Sequence, residues 1–163
     1  MSEILHADSV EALWRALDGV KDPEIPTVSL VEMGIIDEIR VEDGIAHVTM
    51  IPTFSGCPAL DVMRDDVAEA VRGAGLEPDV TVVRKPWSTD RMSESAREKM
   101  KKIGLAPPHL HGGNVEWEMF APVACPWCES VNTKIENGFG PTLCRAIYYC
   151  NACQQPFEKF KAL

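Results

Sequence analysis

The sequence predicts an α+β fold: a small mixed sheet with helices packed on one face, followed by a second, smaller domain stabilised by a metal. Three observations carry that expectation. Stretches with helical and strand periodicity follow one another as helix, strand, strand, helix, strand, helix over residues 9–103. Two strand-like runs flank Glu42-Asp43-Gly44, a hairpin signal. Five of the six cysteines crowd into the last 39 residues, four of them as paired C-x-x-C knuckles.

The first helix is expected from about Ser9 to Val20, because Val10, Leu13, Trp14, Leu17 and Val20 make one apolar stripe. Ser9 suits its N-cap and Gly19 its stop. In KDPEIPTVSLVEMG the two prolines forbid a continuing helix and force an extended, turning path. IIDEIRV and IAHVTMI then read as the hairpin strands, with Gly44 taking the positive φ of the tight turn. A second helix should follow Cys57, burying Leu60, Met63, Val67, Ala70, Val71 and Ala74 and stopping at Gly73 and Gly75. VTVVRK reads as the third strand. A polar helix from about Asp90 to Ile103 shows only Met92, Ala96, Met100 and Ile103 on its apolar side, so it is expected to be mobile or to await a partner. Three prolines and a Gly-Gly pair mark residues 104–122 as a linker. The domains expected are thus 1–103, the 104–122 linker and 123–163.

Composition narrows the function. With 45% hydrophobic and 25% charged residues, the chain has a globular rather than a disordered composition. Its net charge of −9 argues against general nucleic-acid binding, which needs clustered Lys and Arg. Residues 1–111 hold 12 basic and 20 acidic side chains and residues 112–163 hold 4 and 5, so the cysteine-rich end has no basic patch for nucleic acid either. The acidic face is read as a matter of solubility. No apolar stretch reaches 18 residues and MSEILHADSVEALW lacks the pattern of an export signal, so no membrane association and a cytoplasmic location are expected. Cysteines in such a chain are expected reduced, metal-bound or reactive rather than disulfide-bonded.

Cys125-Pro-Trp-Cys128 and Cys150-Asn-Ala-Cys153 lie 21 residues apart. Two such turns facing each other offer four thiolates in a tetrahedron, the pattern of a zinc-ribbon-like domain. A segment this short folds by binding its metal, and Phe157 and Phe160 would close its mini-core. Zinc is the expected ion; an iron–sulfur cluster on the same four cysteines is the alternative. Glu129 and Gln154 follow the second cysteine of each knuckle, where many zinc knuckles have glycine. Cys144 is left as a packed thiol, an alternative ligand or an accessory thiol able to exchange metal. His109 and His111 could ligate as a pair but are read as a solvated linker.

Two N-terminal segments look too specific for packing alone. Asp22-Pro23-Glu24-Ile25-Pro26 holds two carboxylates in a proline-held turn, although a plain solvated turn explains the prolines equally. Thr53-Phe54-Ser55-Gly56-Cys57-Pro58 puts a lone thiol before a helix. If Pro58 takes the first helical position, Cys57 is the N-cap, where the helix dipole favours the thiolate. A buried structural cysteine is the competing reading.

DPEIP, the SGCP cysteine and the Pro-Trp-Ser-Thr-Asp-Arg-Met-Ser segment at 86–93 together resemble the iron–sulfur assembly domain of SufT-like proteins, over roughly residues 8–104. With the two C-terminal knuckles and Cys144 between them, the whole chain resembles the D-component family of bacterial phenylacetyl-CoA epoxidase systems. That resemblance implies an accessory or maturation component of a multicomponent monooxygenase that forms the ring 1,2-epoxide in aerobic phenylacetate catabolism. It implies no oxygenation by this chain itself. Its partners would be the di-iron oxygenase and the flavin and iron–sulfur reductase subunits, together with iron–sulfur assembly proteins. Carried over by position, Cys57, Asp22 and Glu24 are the candidate residues for transfer of iron or a cluster, and Cys125, Cys128, Cys150 and Cys153 the candidate metal ligands.

A lone thiol cannot hold a cluster stably, but it can hand one over or share it across a homodimer. The alternative function is a structural docking subunit of the oxygenase complex, with Cys57 merely packed. An enzymatic reading, Cys57 as nucleophile with His47 as base, lacks the remaining member of a Cys–His–Asx arrangement.

Overall fold

The structure, a computed structural model, describes residues 2–54 and 56–163. The chain divides into two compact units, the first ending at Trp87 and the second running from Ser88 to Leu163.

Unit 1 opens with α1, Ser2–Leu17. Leu13 and Leu17 of the expected stripe are fully buried. The helix starts earlier than the sequence suggests, so Ser9 lies inside it rather than capping it. The strands β1 (Ile36–Glu42) and β2 (Ile45–Met50) pair antiparallel, and β3 (Glu77–Val82) runs parallel to β2. The sheet is therefore mixed, in the order β1-β2-β3. Asp43 and Gly44 both take positive φ, 49° and 80°, the twist that a two-residue hairpin loop demands. The crossover from β2 to β3 carries α2, Leu60–Gly73, whose Met63, Val67 and Val71 are buried.

A register shift between Ile36 and Glu38 adds a residue to β1 and turns both Ile36 and Ile39 inward, three positions apart. Ala46, Val48 and Met50 face the same core, whereas Arg40, His47 and Asp79 occupy neighbouring positions on the open face. There His47 Nδ1 lies 2.7 Å from Asp79 Oδ2. That makes His47 a sheet histidine held by its cross-strand neighbour.

Unit 2 contains a 3₁₀ turn at Thr89–Arg91, α3 (Glu94–Lys102), β4 (Leu105–Ala106), α4 (Val115–Phe120), β5 (Thr133–Asn137), β6 (Arg145–Cys150) and β7 (Pro156–Phe160). Its sheet runs β4-β7-β6-β5, with β4 parallel to β7 and the other pairs antiparallel. The expected boundary at 103 and the expected linker at 104–122 are thus replaced by a division at Trp87. Residues 105–106 are an edge strand of the second sheet, and α4 carries Glu118, whose buried carboxylate accepts from Lys159 Nζ at 2.7 Å. An ion pair removed from water in this way holds only where both partners are present.

The α3 helix is docked, not mobile. Ser93 caps it by accepting from the Ala96 N–H at 3.0 Å, and Ala96 and Met100 are fully buried, while Ile103 stays exposed. Buried Arg97 donates to the carbonyls of Thr89 and Pro108. His111, expected in a solvated linker, is buried, with Nε2 3.0 Å from Thr89 Oγ1. The N–H groups of His111 and Gly112 both donate to Asp90, holding its carboxyl below the usual range chiefly through the His111 N–H. The Ser-Thr-Asp-Arg-Met segment therefore serves unit 2: it fastens residues 108–113 beneath α3.

Among the described residues, no helix is long and apolar enough to cross a membrane.

Candidate metal centre and the Cys57 loop

The two knuckles repeat one backbone design. The Cys125 N–H donates to Ser130 O and its carbonyl accepts from the Glu129 N–H; the Cys150 N–H donates to Gln155 O and its carbonyl accepts from the Gln154 N–H. Closing each turn requires a left-handed residue just after the second cysteine. Glu129 and Gln154 supply it at φ of 63° and 59°, so the missing glycines are a matter of residue choice and not of geometry.

Facing each other, the turns bring the sulfurs of Cys125, Cys128, Cys150 and Cys153 within 4.8 Å of one another. Across the knuckles, Cys125 Sγ lies 3.7 Å from Cys153 Sγ and Cys128 Sγ 3.6 Å from Cys150 Sγ. A tetrahedron with Zn–S bonds of about 2.3 Å has edges of about 3.8 Å, so the set fits a single tetrahedral ion. An iron–sulfur cluster spreads its thiolates over more than one iron, which separates some of the sulfurs further than these. The proton affinities of the set diverge as crowded thiols should. The Cys153 N–H draws Cys150 down to about 7, whereas burial and the neighbouring sulfurs push Cys153 up to about 12. Four thiolates this close need a cation among them. The residues present bind metal.

The metal ligands are also core residues. Cys125 and Cys150 are fully buried with Ala106, Val123 and Phe157, and Tyr148 stacks on Phe157 at 5.7 Å. On the other side of the first knuckle, Trp127 lies on Gly104, and a Cβ built there would stand 2.1 Å from Cζ2 of the indole. Glu129 pairs with Lys101 on α3. Residues 127 and 129, on either side of the ligand Cys128, thus hold the end of α3. Cys144 stands outside the four-sulfur set: its Sγ lies 3.1 Å from Thr142 Oγ1.

In unit 1 the structure changes the reading of Cys57. The α2 helix begins at Leu60 with Ala59 at its N-cap position, so Cys57 is not the N-cap and Pro58 is not the first helical residue. Cys57 sits one turn earlier: its N–H donates to Phe54 O at 3.1 Å and its carbonyl accepts from the Leu60 N–H at 3.2 Å. The thiol is half-buried in a turn next to exposed Phe54, and Ser55 lies outside the described residues. Asp22 builds the DPEIP turn. Its Oδ1 accepts from the N–H groups of Glu24 and Ile25 at 2.8 and 3.0 Å, and this fixes the backbone on which Glu24 stands half-exposed. Among the described residues, the four knuckle cysteines form the one group of three or more potential ligands close enough for a metal, so Cys57, Asp22 and Glu24 make no ready-built site.

Comparison with known proteins divides the chain in the same way. Residues 10–85 match the family described as "Iron-sulfur cluster assembly protein", and residues 116–161 match the "PaaD zinc beta ribbon domain". Over 156 residues, 94% of this chain and 93% of the relative, the sequence is 33% identical to the D component of the "Putative 1,2-phenylacetyl-CoA epoxidase" of Escherichia coli (strain K12). It is also 34% identical to the Fe-S protein maturation auxiliary factor YitW of Bacillus subtilis (strain 168), over 53% of this chain and 88% of that one. Among solved structures, a domain of unknown function, DUF59, from Bacillus anthracis is 29% identical, with a TM-score of 0.54, covering 58% of this chain and 92% of that one.

Proposed function

Since the chain belongs to the family of the 1,2-phenylacetyl-CoA epoxidase D component, we propose that it is a non-catalytic accessory member of that multicomponent monooxygenase, helping to load iron or an iron–sulfur centre into the oxygenase or reductase partners. The supporting observation is the covalent union, in one chain, of an assembly-type domain shared with Fe–S maturation factors and a separate, closed four-cysteine metal site. A closed site with no open position suits a structural ion, and zinc is the ion proposed for it. Cargo would then pass through the half-buried Cys57 thiol, which offers one ligand and leaves the remaining positions to donor and acceptor proteins. Glu24, half-exposed on the turn that Asp22 fixes, would meet the partner or the iron. The whole acts in the cytoplasm.

Anaerobic co-expression with the oxygenase and reductase subunits tests this, with iron and sulfide measured in the purified partners. Omitting the chain, or substituting Cys57→Ala, is expected to lower the partners' iron without changing the zinc bound by this chain; Cys125→Ser is expected to lose the zinc. Full iron loading with Cys57→Ala in a stoichiometric complex would replace maturation by the structural docking role.

A further inference from the structure

The Glu118–Lys159 pair borders a pocket of about 270 Å³ in unit 2, on β6 and β7 and away from the four sulfurs. Val115, Ala146 and the half-buried ring of Tyr148 give it apolar walls, and Lys161 supplies a second ammonium. Lys159 and Lys161 lie two positions apart along an extended chain, which puts both on one face. Each ammonium has three donors. Among the described residues Lys159 Nζ donates to Glu118 Oε1 at 2.7 Å, and Lys161 Nζ donates to Leu143 O at 3.0 Å. Glu118 thus neutralises Lys159, which is 5% exposed to water, and the positive charge in excess is that of the partly exposed Lys161, whose Nζ also lies 5.3 Å from the centre of the Phe139 ring.

We propose that this pocket binds a small organic anion, its carboxylate between Lys159 and Lys161 and its apolar body, of single-ring size, against Val115, Ala146 and Tyr148. Size sets the class: an apolar cavity of about 150 Å³ holds benzene, so this one has room for a ring with a short acidic arm.

Calorimetric titration of the full-length, metal-loaded protein decides the matter, with phenylacetate, its neutral isostere phenylacetamide, and acetate as probes. Phenylacetate is expected to bind about tenfold more tightly than either of the others, the worth of one charge-assisted hydrogen bond. Lys161→Met, at a partly exposed position, should weaken phenylacetate severalfold without lowering the melting temperature. At Gly138, also on the pocket wall, an added Cβ meets nothing within 4 Å, so Gly138→Leu should fold normally and block binding. The proposal is overturned if phenylacetate does not bind at millimolar concentration, if the amide binds equally well, or if neither variant changes the affinity.

Discussion

Unit 1 buries the faces of α1 and α2 against three strands, with Leu13, Leu17, Val48, Met50, Val67 and Val71 all nearly or fully excluded from water. Unit 2 is of similar length, yet its central cluster consists of Ala106, Val123, Phe157 and two of its own metal ligands. Their charges differ as well. Up to Trp87 there are 7 basic and 17 acidic side chains; from Ser88 onward there are 9 and 8. The first unit has an apolar core sufficient for its size and leaves a thiol half-exposed in a loop. The second compensates for missing apolar surface with a four-cysteine metal site, a buried ion pair and a buried arginine. A domain short of core thus ties its fold to its ligand, while a domain with ample core needs no such tie.

The largest expected effect separates the units directly. Chelating the metal, or substituting Cys150→Ser, should unfold residues 88–163 while the amide spectrum of unit 1 persists, because structural zinc supplies about 10–16 kcal/mol in small metal-folded domains. Two-dimensional NMR with and without chelator reads this; a single cooperative loss of both units would break the contrast. Lowering pH should act in the same direction, since protons compete for the thiolates.

A smaller loss, about 2 kcal/mol, is expected for Gly104→Ala. The residue sits at φ 80° with Trp127 packed on it, so a methyl group is both strained and obstructed. Chemical denaturation followed by circular dichroism measures it, and a neutral result would uncouple α3 from the first knuckle.

In unit 1, Asp22→Ala should cost about 1–2 kcal/mol by stranding the N–H groups of Glu24 and Ile25, whereas Asp22→Asn, which keeps an acceptor oxygen, should cost much less. Thermal melts distinguish the two. If Asp22→Asn instead abolishes iron transfer at unchanged stability, the carboxylate contacts cargo.

The smallest effect is a gain. Gln154→Gly should stabilise unit 2 by about half a kcal/mol, because glycine accepts φ of 59° freely but costs more entropy to order. A raised chelator-unfolding midpoint shows it.

Local pattern carries the legible part of the molecule. The hairpin at Asp43-Gly44, most of the apolar faces of α1 and α2 and the four ligands are readable, since each depends on periodicity or on spacing within one turn. The third strand, in contrast, reads as 80–85 and lies three residues earlier, at Glu77–Val82, and Ala74 is exposed. The α3 helix reads as loose because its polar composition conceals a guanidinium, that of Arg97, spent on two distant carbonyls. Residues 104–122 read as a linker, yet they form β4 and α4 because their partners, β7 and Lys159, lie about 40–50 residues further along the chain.

By itself, then, the sequence determined a mixed α+β domain, a four-cysteine metal site and a single thiol set apart from it, because residue types and short spacings are properties of the chain alone. Tertiary structure decided where the first unit ends, that Cys57 lies one turn ahead of its helix rather than on its N-cap, and that a lysine and a glutamate meet in the interior of the second unit. Those depend on which distant backbone groups find one another, and in a buried setting every N–H, carbonyl and charge must find a partner from whatever part of the chain can reach it.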